Sequence, residues 1–290
     1  MKKVLIANRG EIAIRIARTC NDLGLKTVGI YSEDDANSLH LSKVDEAYKI
    51  DEKGAQAYLD IKEIIRIAKE SKADAIHPGY GFLSENSLFA SAAKRAKIKF
   101  IGPNERALKI FGDKTSAKEL ASSLNIPVIA GTHEKTSIRK AQSFMKSLKK
   151  NSSVVIKAIS GGGGRGMRVV SKIDDLKESF DRAASEAKAS FDSPDLYLEE
   201  YLKNYRHIEF QIIGDGTGGV SHLHERECSI QRRHQKLIEI APSPSLDLEL
   251  KSKMVEASLA LTQKLKYEGL ATIEFLVNVE KNDYRFIECN

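Results

Sequence analysis

The chain is 290 residues long and carries 46 basic and 40 acidic side chains, which gives a formal net charge of +6. Because the two signs are interspersed and no basic stripe carries aromatic residues, the composition argues against nucleic acid binding. The sequence contains no run of about 18 apolar residues that could span a membrane. The three cysteines lack metal-ligand spacing, so we expect reduced thiols and a cytoplasmic location.

Residues 1–112 alternate between short apolar strands and amphipathic helices. The predicted strands are residues 4–7, 27–31, 75–77 and 100–101, and the predicted helices are residues 11–23, 61–69 and 86–96. This alternation predicts a parallel sheet with helices on both faces, in which ligands bind beyond the carboxyl ends of the strands. The loops ANRGE and HPGYGFLSEN follow two of these ends. For the second loop, a tight structural turn and a ligand contact remain about equally open.

The most distinctive stretch is VVIKAISGGGGRGM at residues 154–167. An apolar β-branched strand delivers Lys157 into a run with five glycines between residues 161 and 166. Each glycine costs about 0.5–1 kcal/mol of backbone entropy relative to alanine. We expect this cost to be offset by close approach of backbone N–H groups to an anion, with Lys157 and Arg165 supplying positive charge. The spacing fits neither a Walker A loop nor a dinucleotide fingerprint. We therefore predict a glycine hairpin over phosphates, with a flexible hairpin tip as the alternative.

The rest of the chain divides into three further segments. Residues 113–131 form a predicted connecting helix and linker, in which Asp113 caps the helix and Lys114 opposes its dipole. Such a misfit can mark a residue that is kept for a ligand. Residues 132–202 are predicted to form a small lobe around the glycine hairpin. Residues 203–290 are predicted to form a larger lobe with four strands and one helix.

Two carboxylates fall on the last two predicted strands. If their hairpin is symmetric about Lys281, Glu274 lies directly across from Glu288, with Cβ atoms about 4.5–5.5 Å apart. A divalent cation would neutralise this pair. Asn290 shares the face of Glu288 and adds a third oxygen ligand, which suits Mg²⁺. A pair splayed into water is the alternative, and the glycine hairpin favours the metal.

A dense basic stretch occupies residues 226–236. If it is extended, Arg232, His234 and Lys236 share one face and concentrate positive charge there. A solvated face or an ion-pair network is the alternative.

Five motifs, taken in order and spacing, resemble the biotin carboxylase subunit or domain of biotin-dependent carboxylases. They are ANRGEIAIRIARTC, HPGYGFLSEN, KAISGGGGRGM, RHIEF and ERECSIQRRHQKLIEIAP. The resemblance covers essentially all 290 residues. It implies an α/β fold with an N-terminal Rossmann-like parallel sheet (pre-ATP-grasp, residues 1–112), followed by an ATP-grasp fold with its lid at residues 132–202 and an incomplete large lobe at 203–290. The implied activity is ATP-dependent carboxylation of biotin with bicarbonate through carboxyphosphate.

The resemblance also implies roles for single residues. Lys114 and Lys157 would contact nucleotide phosphates, and Gly163 and Gly164 would cover them. Residues Glu199, Glu200, Tyr201 and Leu202 would border the adenine, His207 the ribose side, and His234 the nucleotide. Lys236 would hold bicarbonate or carboxyphosphate and is the implied catalytic residue. Glu274, Glu288 and Asn290 would hold Mg²⁺ or Mn²⁺, and Tyr80 and Gly81 would touch biotin.

The implied partners are a biotin carboxyl carrier protein or domain, a carboxyltransferase and, for the full-length protein, a second copy in a homodimer. No nucleic acid or membrane partner is expected. The family includes acetyl-CoA, other acyl-CoA and pyruvate carboxylases, and the first of these serves fatty acid biosynthesis. The final acceptor stays open because a separate transferase selects it.

Two departures from the family pattern affect these expectations. Glu200 stands where many members carry lysine, which is tolerable if that contact runs through the backbone. The chain stops at Asn290, within the family segment N-P/T-R-x-Q-V-E-H, so the arginine and the general-base glutamate of that segment lie outside it. We therefore expect an N-terminal fragment that is inactive on its own and binds nucleotide at most weakly. A different ATP-grasp ligase of the carbamoyl-phosphate type and a non-catalytic nucleotide-binding module are the alternatives.

Overall fold

The structure is a computed structural model that describes residues 1–132, 134–159, 167–232 and 235–290. Within these ranges, thirteen strands form three sheets, of which the first is parallel and the other two are antiparallel. The predicted α/β class is therefore confirmed. A search of the same ranges finds no helix that is both long enough and apolar enough to cross a membrane.

The first sheet is built from the N-terminal part of the chain. Its strands are β1 (Lys3–Ile6), β2 (Lys26–Tyr31), β3 (Glu46–Lys49), β4 (Ala75–His77) and β5 (Lys99–Phe100), and its helices are α1 (Gly10–Asp22), α2 (Ile61–Glu70), α3 (Ser87–Arg95) and α4 (Glu105–Gly112). The strand order is β3-β2-β1-β4-β5, and all pairs are parallel. The sequence analysis missed β3, because this edge strand alternates half-buried and exposed residues and contains no apolar run.

The central strand β1 is covered by helices on both faces. Leu5 packs in one cluster with Ile64 of α2, whereas Val4 and Ile6 pack on the other face with Ala13 of α1. The strand order reverses at β1, since β2 and β3 extend to one side of it and β4 and β5 to the other. The loops that follow β1 and β4 therefore border the crevice in which such sheets bind ligands.

A small antiparallel sheet follows the connecting helix. This part contains α5 (Lys114–Ser123), α6 (Ile138–Ser147), β6 (Ser153–Ala158), β7 (Arg168–Val170), α7 (Leu176–Phe191) and β8 (Leu196–Tyr201). The sheet order is β7-β6-β8. Val154, Ile156 and Leu198 face α6 and α7 in a buried cluster. Because side chains alternate along a strand, Lys157 and Glu199 lie on the opposite face.

A larger antiparallel sheet completes the chain. It consists of β9 (Arg206–Asp215), β10 (Val220–Arg232), β11 (Gln235–Ile240), β12 (Glu268–Asn278) and β13 (Asp283–Cys289), with α8 (Leu248–Lys264) inserted before β12. The strand order is β11-β10-β9-β12-β13. Phe210 and Phe275 pack on one face in a cluster with Phe111 of α4, Ala121 of α5 and Met254 of α8. The alternate residues of β9 and β12 therefore lie on the other face.

Two expectations for this region are wrong. Five strands form where four were predicted. The basic stretch is also not one extended strand, because Arg232 of β10 pairs with Gln235 of β11 in antiparallel register. Lys236 pairs with Gln231, so Lys236 and Arg232 lie on opposite faces of the hairpin. The third residue of the predicted face, His234, lies outside the described residues.

The segment between α5 and α6 joins the two antiparallel sheets. Val128 forms a bridge with Phe286 of β13, and Gly131 forms a bridge with Glu199 of β8. The backbone N–H of Phe286 also donates to the carbonyl of Pro127 at 2.8 Å. This short connection therefore holds the small sheet beside the edge of the large one.

Candidate active site

Three carboxylates lie side by side on one face of the large sheet. Glu274 of β12 pairs with Glu209 of β9 on one side and with Glu288 of β13 on the other. The predicted pairing of Glu274 with Glu288 is confirmed. It depends on a bulge between Glu274 and Phe275, because the pairs nearer the turn are offset from this register by one residue. Glu209 and Glu274 are buried, so their charges require partners.

Lys236 contacts two of these carboxylates. Its Nζ lies 2.5 Å from Glu209 Oε2 and 2.8 Å from Glu274 Oε1. Arg226 contacts the other oxygen of Glu209. Burial alone would lower the pKa of Lys236, but hydrogen bonds to Glu209 and Glu274 outweigh burial and raise it. Lys236 is therefore a cation at neutral pH and not a proton acceptor. We call Glu209, Lys236, Glu274 and His207 the Glu274 cluster.

Glu274 has further polar neighbours on the same face. His207 Nε2 lies 2.7 Å from Glu274 Oε2, and Asn290 Nδ2 donates to Glu274 Oε1 at 2.8 Å. Gln231 Nε2 lies 3.0 Å from His207 Nδ1 and so holds the ring from its other side. Burial raises the pKa of Glu274, but hydrogen bonds from His207 and Lys236 outweigh it and bring the pKa to about 2. Glu274 is therefore ionised throughout the physiological range.

The donor set for a metal ion can be tested on this geometry. Glu274, Glu288 and Asn290 offer two carboxylates and an amide oxygen, which is the hard-oxygen chemistry that Mg²⁺ prefers. A different group, His207, Glu209 and Glu274, has ligand atoms within 4.8 Å of one another. The ammonium of Lys236 already lies between Glu209 and Glu274. Its positive charge compensates these carboxylates without a metal ion. Glu274, Glu288 and Asn290 are therefore better candidates for metal ligands than the other group, and their role remains a prediction.

A second charged group lies on the small sheet. Glu199 of β8 contacts the Nζ atoms of both Lys118 and Lys157, the latter at 2.5 Å. The register explains the second contact, because Lys157 pairs with Tyr197 and is the diagonal neighbour of Glu199. Burial raises the pKa of Glu199, but the two lysines outweigh it and hold the pKa at about 2. We call Lys118, Lys157 and Glu199 the Glu199 cluster.

The charge of Glu288 on the large sheet affects a side chain of the small sheet. Tyr197, a buried neighbour of Glu199, has a raised pKa because of its burial, followed by the charges of Glu199 and Glu288. The carboxylate of Glu288 on the large sheet therefore acts on a side chain of the small sheet. The bridges of Gly131 to Glu199 and of Val128 to Phe286 also join the small sheet and the strand of Glu288 through one short segment.

The remaining predicted nucleotide contacts occupy the same part of the chain. Lys114 is the first residue of α5 and follows its cap, Asp113. Glu200 accepts a hydrogen bond from Ser152 Oγ at 3.0 Å. Tyr201 is half-exposed at the end of β8, and Leu202 follows it. Three further residues with predicted nucleotide contacts, Gly163, Gly164 and His234, lie outside the described residues.

The loop that carries the predicted biotin contacts is held by the loop after β1. Asn8 Nδ2 donates to the carbonyls of Pro78 and Tyr80 at 2.8 Å each. The ring of Tyr80 is exposed. Burial raises the pKa of Glu85 in the same loop, and the charge of Glu288 raises it further. The loop therefore adjoins the carboxylate side of the large sheet, and the roles of Tyr80 and Gly81 stay predictions.

Two members of these clusters, Glu209 and Lys118, and the neighbouring Gln231 were not predicted from the sequence. Glu209 could have been found, because it lies two residues after His207 on the same strand face. Gln231 lies in the basic stretch but on β10, whereas Lys236 lies on β11. Lys118 lies one helical turn after Lys114, which is a weak signal in a chain with 46 basic residues.

Comparison with known families gives two matches that together span most of the chain. Residues 1–108 match the family described as "Biotin carboxylase, N-terminal domain". Residues 113–290 match the family described as "Carbamoyl-phosphate synthase L chain, ATP binding domain".

Individual relatives agree with these matches. Pyruvate carboxylase of Bacillus subtilis is 50% identical over 293 residues, which is 100% of this chain and 25% of that protein. Biotin carboxylase of Campylobacter jejuni, solved in complex with beta-gamma-ATP, is 43% identical with a TM-score of 0.93 over 100% of this chain and 65% of its own. The biotin carboxylase domain of Hydrogenobacter thermophilus 2-oxoglutarate carboxylase, solved with MgADP, ADP and bicarbonate, is 41% identical with a TM-score of 0.93, covering 100% of this chain and 63% of its own.

The chain covers only part of each of these relatives. The chain spans a quarter of the length of the pyruvate carboxylase and just under two thirds of the two solved chains. None of these relatives supports the expected link to acetyl-CoA carboxylase or fatty acid biosynthesis. The order of the two matched families is the order of the parallel and antiparallel sheets. The chain belongs to the biotin carboxylase family and contains its N-terminal domain together with an ATP-binding domain of the ATP-grasp fold.

Proposed function

We propose that these residues bind Mg·ATP between the small and the large antiparallel sheets, and that the whole protein uses it as a ligase that carboxylates biotin. The observation that carries the proposal is the Glu274 cluster, in which a buried carboxylate is paired with Glu288 on one side and with the cation Lys236 on the other. This arrangement suits a metal-bound triphosphate beside an anionic substrate. The ligands named for the solved relatives, MgADP, bicarbonate and beta-gamma-ATP, support it.

In this proposal, the nucleotide is held mainly by the small sheet and α5. Lys114 and Lys157 supply positive charge to the phosphates, and the backbone at Gly163 and Gly164 covers them. The backbone of residues 199–202 borders the adenine, which leaves the side chain of Glu200 free to differ from lysine. His207 and His234 contribute on the ribose side.

The proposed metal ligands are Glu274, Glu288 and Asn290. When bound there, Mg²⁺ or Mn²⁺ would neutralise charge on the terminal phosphates. Glu274 needs no deprotonation first, because its pKa is about 2. His207 and Gln231 orient its carboxylate from the side away from Glu288.

Lys236 is the proposed anchor for bicarbonate and for the carboxyphosphate formed from it. Its raised pKa keeps it charged, so it holds an anion and does not remove a proton. Attack of a bicarbonate oxygen on the γ-phosphoryl group depends chiefly on positioning and on cations near the developing charge. Contacts with Glu209 and Glu274 fix the position of the Lys236 ammonium before substrate arrives.

The partners of the whole protein follow from the same proposal. Carboxyphosphate would break down to CO₂ and inorganic phosphate, and biotin on a carrier protein or domain would capture the CO₂ near Tyr80 and Gly81. A carboxyltransferase would then pass the carboxyl group to an acceptor that these residues do not select. The relative from Hydrogenobacter is described as a domain dimer, which supports a homodimer.

A second candidate is a carbamoyl-phosphate type of ligase. The match of residues 113–290 to an ATP-binding domain of carbamoyl-phosphate synthase favours it. The match of residues 1–108 to a biotin carboxylase domain favours the first candidate. Both bind Mg·ATP and bicarbonate, and they differ in the acceptor, which is biotin or ammonia.

Calorimetric titration with Mg·ATP tests the binding step, and bicarbonate-dependent ADP release by the full-length protein tests the reaction. We expect binding by the wild type and at least a 10-fold loss for Glu288→Gln, since a metal ligand is removed. Glu280→Gln, an exposed change in the same hairpin turn, is the matched control and should bind as the wild type does.

The acceptor decides between the two candidates. ADP release stimulated by free biotin supports biotin carboxylation, whereas stimulation by ammonia alone would transfer the assignment to the second candidate. Absence of Mg·ATP binding by the wild type would overturn both.

A further inference from the structure

Lys118 is a buried lysine beside the proposed phosphate contacts to which the roles above give no task. Its exposed fraction is 4%, and it lies on the same face of α5 as Lys114, one turn further along the helix. Burying an ammonium group is costly unless a carboxylate compensates it. Its compensating carboxylate is Glu199, which is 1% exposed.

Glu199 is shared between two cations. One oxygen contacts Lys118, and the other lies 2.5 Å from Lys157 Nζ. The Glu199 cluster therefore contains two positive charges and one negative charge. The side chains of Lys118 and Glu199 are 5% and 2% exposed, whereas that of Lys157 is 21% exposed. The net positive charge is thus presented to ligands at Lys157.

We propose that Lys118 is a positioning residue, which neutralises Glu199 and so leaves the ammonium of Lys157 available to the phosphates of ATP. The inference rests on the proposed function, because it requires phosphates to bind at Lys157. Without Lys118, Glu199 and Lys157 would form a neutral pair in a region of low dielectric. The phosphates would then compete with Glu199 for Lys157.

The surroundings of Lys118 agree with a charged side chain. Its Nζ lies 5.7 Å from the centre of the Tyr197 ring, a cation–π contact that favours the ammonium form. The pKa of Lys118 is lowered, chiefly by burial, and the charge of Glu199 opposes part of that effect. Glu199 is ionised, since its two lysines outweigh its burial and hold its pKa at about 2.

Charge balance gives a test that a purely structural role would not pass. Lys118→Met leaves the cluster neutral, Lys118→Met combined with Glu199→Gln restores one positive charge, and Lys118→Arg keeps the wild-type charge. The dissociation constants of Mg·ATP and of inorganic tripolyphosphate are measured by calorimetry for each variant. Adenosine, which has no phosphate, is the control ligand.

We expect Lys118→Met to weaken Mg·ATP and tripolyphosphate about 10-fold or more, the size of a lost charge-assisted contact. Lys118→Arg should bind both within about 3-fold of the wild type, and the double variant should bind tripolyphosphate more tightly than Lys118→Met does, because the charge at Lys157 is restored. Adenosine should bind the wild type, Lys118→Met and Lys118→Arg equally.

Each contrary result would contradict one specific claim. Unchanged Mg·ATP binding by Lys118→Met, with normal binding by the wild type, overturns the role of Lys118 and leaves the proposed function intact. Equal losses for Mg·ATP and adenosine, not repaired in the double variant, mean that Lys118 only supports the fold. If Lys118→Met does not fold, weak Mg·ATP binding by Lys118→Arg overturns the inference. Failure of the wild type to bind Mg·ATP removes the proposed function itself.

Discussion

Glu199 and Glu274 organise the charges of the candidate active site at the scale of single residues. Each is a buried carboxylate contacted by two basic side chains, Lys118 and Lys157 for Glu199, and Lys236 and His207 for Glu274. Burial alone would raise both pKa values, yet both are held at about 2. The site therefore carries fixed negative and positive charges before any ligand arrives.

The lowered pKa of Glu274 predicts a dependence of stability on pH. An unperturbed glutamate has a pKa of 4.5, and that of Glu274 is about 2, so between these values the folded protein binds fewer protons than the unfolded chain. The free energy of unfolding is therefore fully supported above pH 4.5 and falls as the pH drops toward 2, by about 3 kcal/mol for this group. Urea unfolding of wild type and Glu274→Gln across this range should show a shallower loss in the variant.

The exposed Glu280→Gln serves as the control for that experiment and should keep the wild-type slope. Parallel losses for the wild type and Glu274→Gln would mean that Glu274 is not paired as the structure describes.

At the scale of elements, α5 links the charged groups to the fold. Its cap Asp113 accepts a hydrogen bond from the N–H of Ser116 at 2.7 Å, and the helix then presents Lys114 and Lys118 from its first two turns. Its apolar side packs through Ala117 and Ala121 in the core of the large sheet. The position of both lysines therefore depends on how the helix begins.

Removing the cap of α5 should reduce both stability and ligand binding, whereas removing the cap of another helix should reduce stability alone. Asp113→Ala and Asp60→Ala each delete a capping carboxylate, the latter from α2, where Asp60 accepts from the N–H of Glu63 at 2.9 Å. We expect each change to lower the free energy of unfolding by about 1 kcal/mol. Only Asp113→Ala should also weaken Mg·ATP several-fold, because Lys114 follows the lost cap. If calorimetry gave the two variants equal affinities for Mg·ATP, the proposed contact of Lys114 with the phosphates would be contradicted.

Some elements could be predicted from local patterns in the sequence, and others could not. The apolar run of β6 and the cap of α5 are local features, and both were predicted. The hairpin of β10 and β11 was not, because Arg232 and Lys236 have the spacing of one strand face, and a chain reversal between them puts them on opposite faces. The bulge between Glu274 and Phe275, on which the pairing of Glu274 with Glu288 depends, was likewise not predicted.

At the scale of the whole molecule, the candidate site lies where three sheets meet. The loop after β4 reaches Glu288, and the segment around Val128 and Gly131 holds the small sheet beside β13. A ligand that contacts several of these parts stabilises all of them together, because it binds the folded state and not the unfolded chain.

Thermal unfolding should therefore respond to nucleotide and metal jointly. Mg·ATP at about 100 times its dissociation constant should add about 2.7 kcal/mol to the free energy of unfolding. EDTA should abolish most of the gain by removing the metal from the proposed ligands, and NAD should give none. Scanning calorimetry measures both effects. A gain with ATP that survives EDTA would contradict the proposed role of Glu274, Glu288 and Asn290.

The local sequence by itself determined the parallel sheet and the position of Lys157 before the glycines, because strand periodicity and short turns involve neighbouring residues only. The tertiary structure alone decided that Lys118 shares Glu199 with Lys157 and that Lys236 bridges Glu209 and Glu274. These contacts join residues far apart in the chain. Burial creates the need for such partners, and only the packing of sheets and helices against one another decides which charges meet.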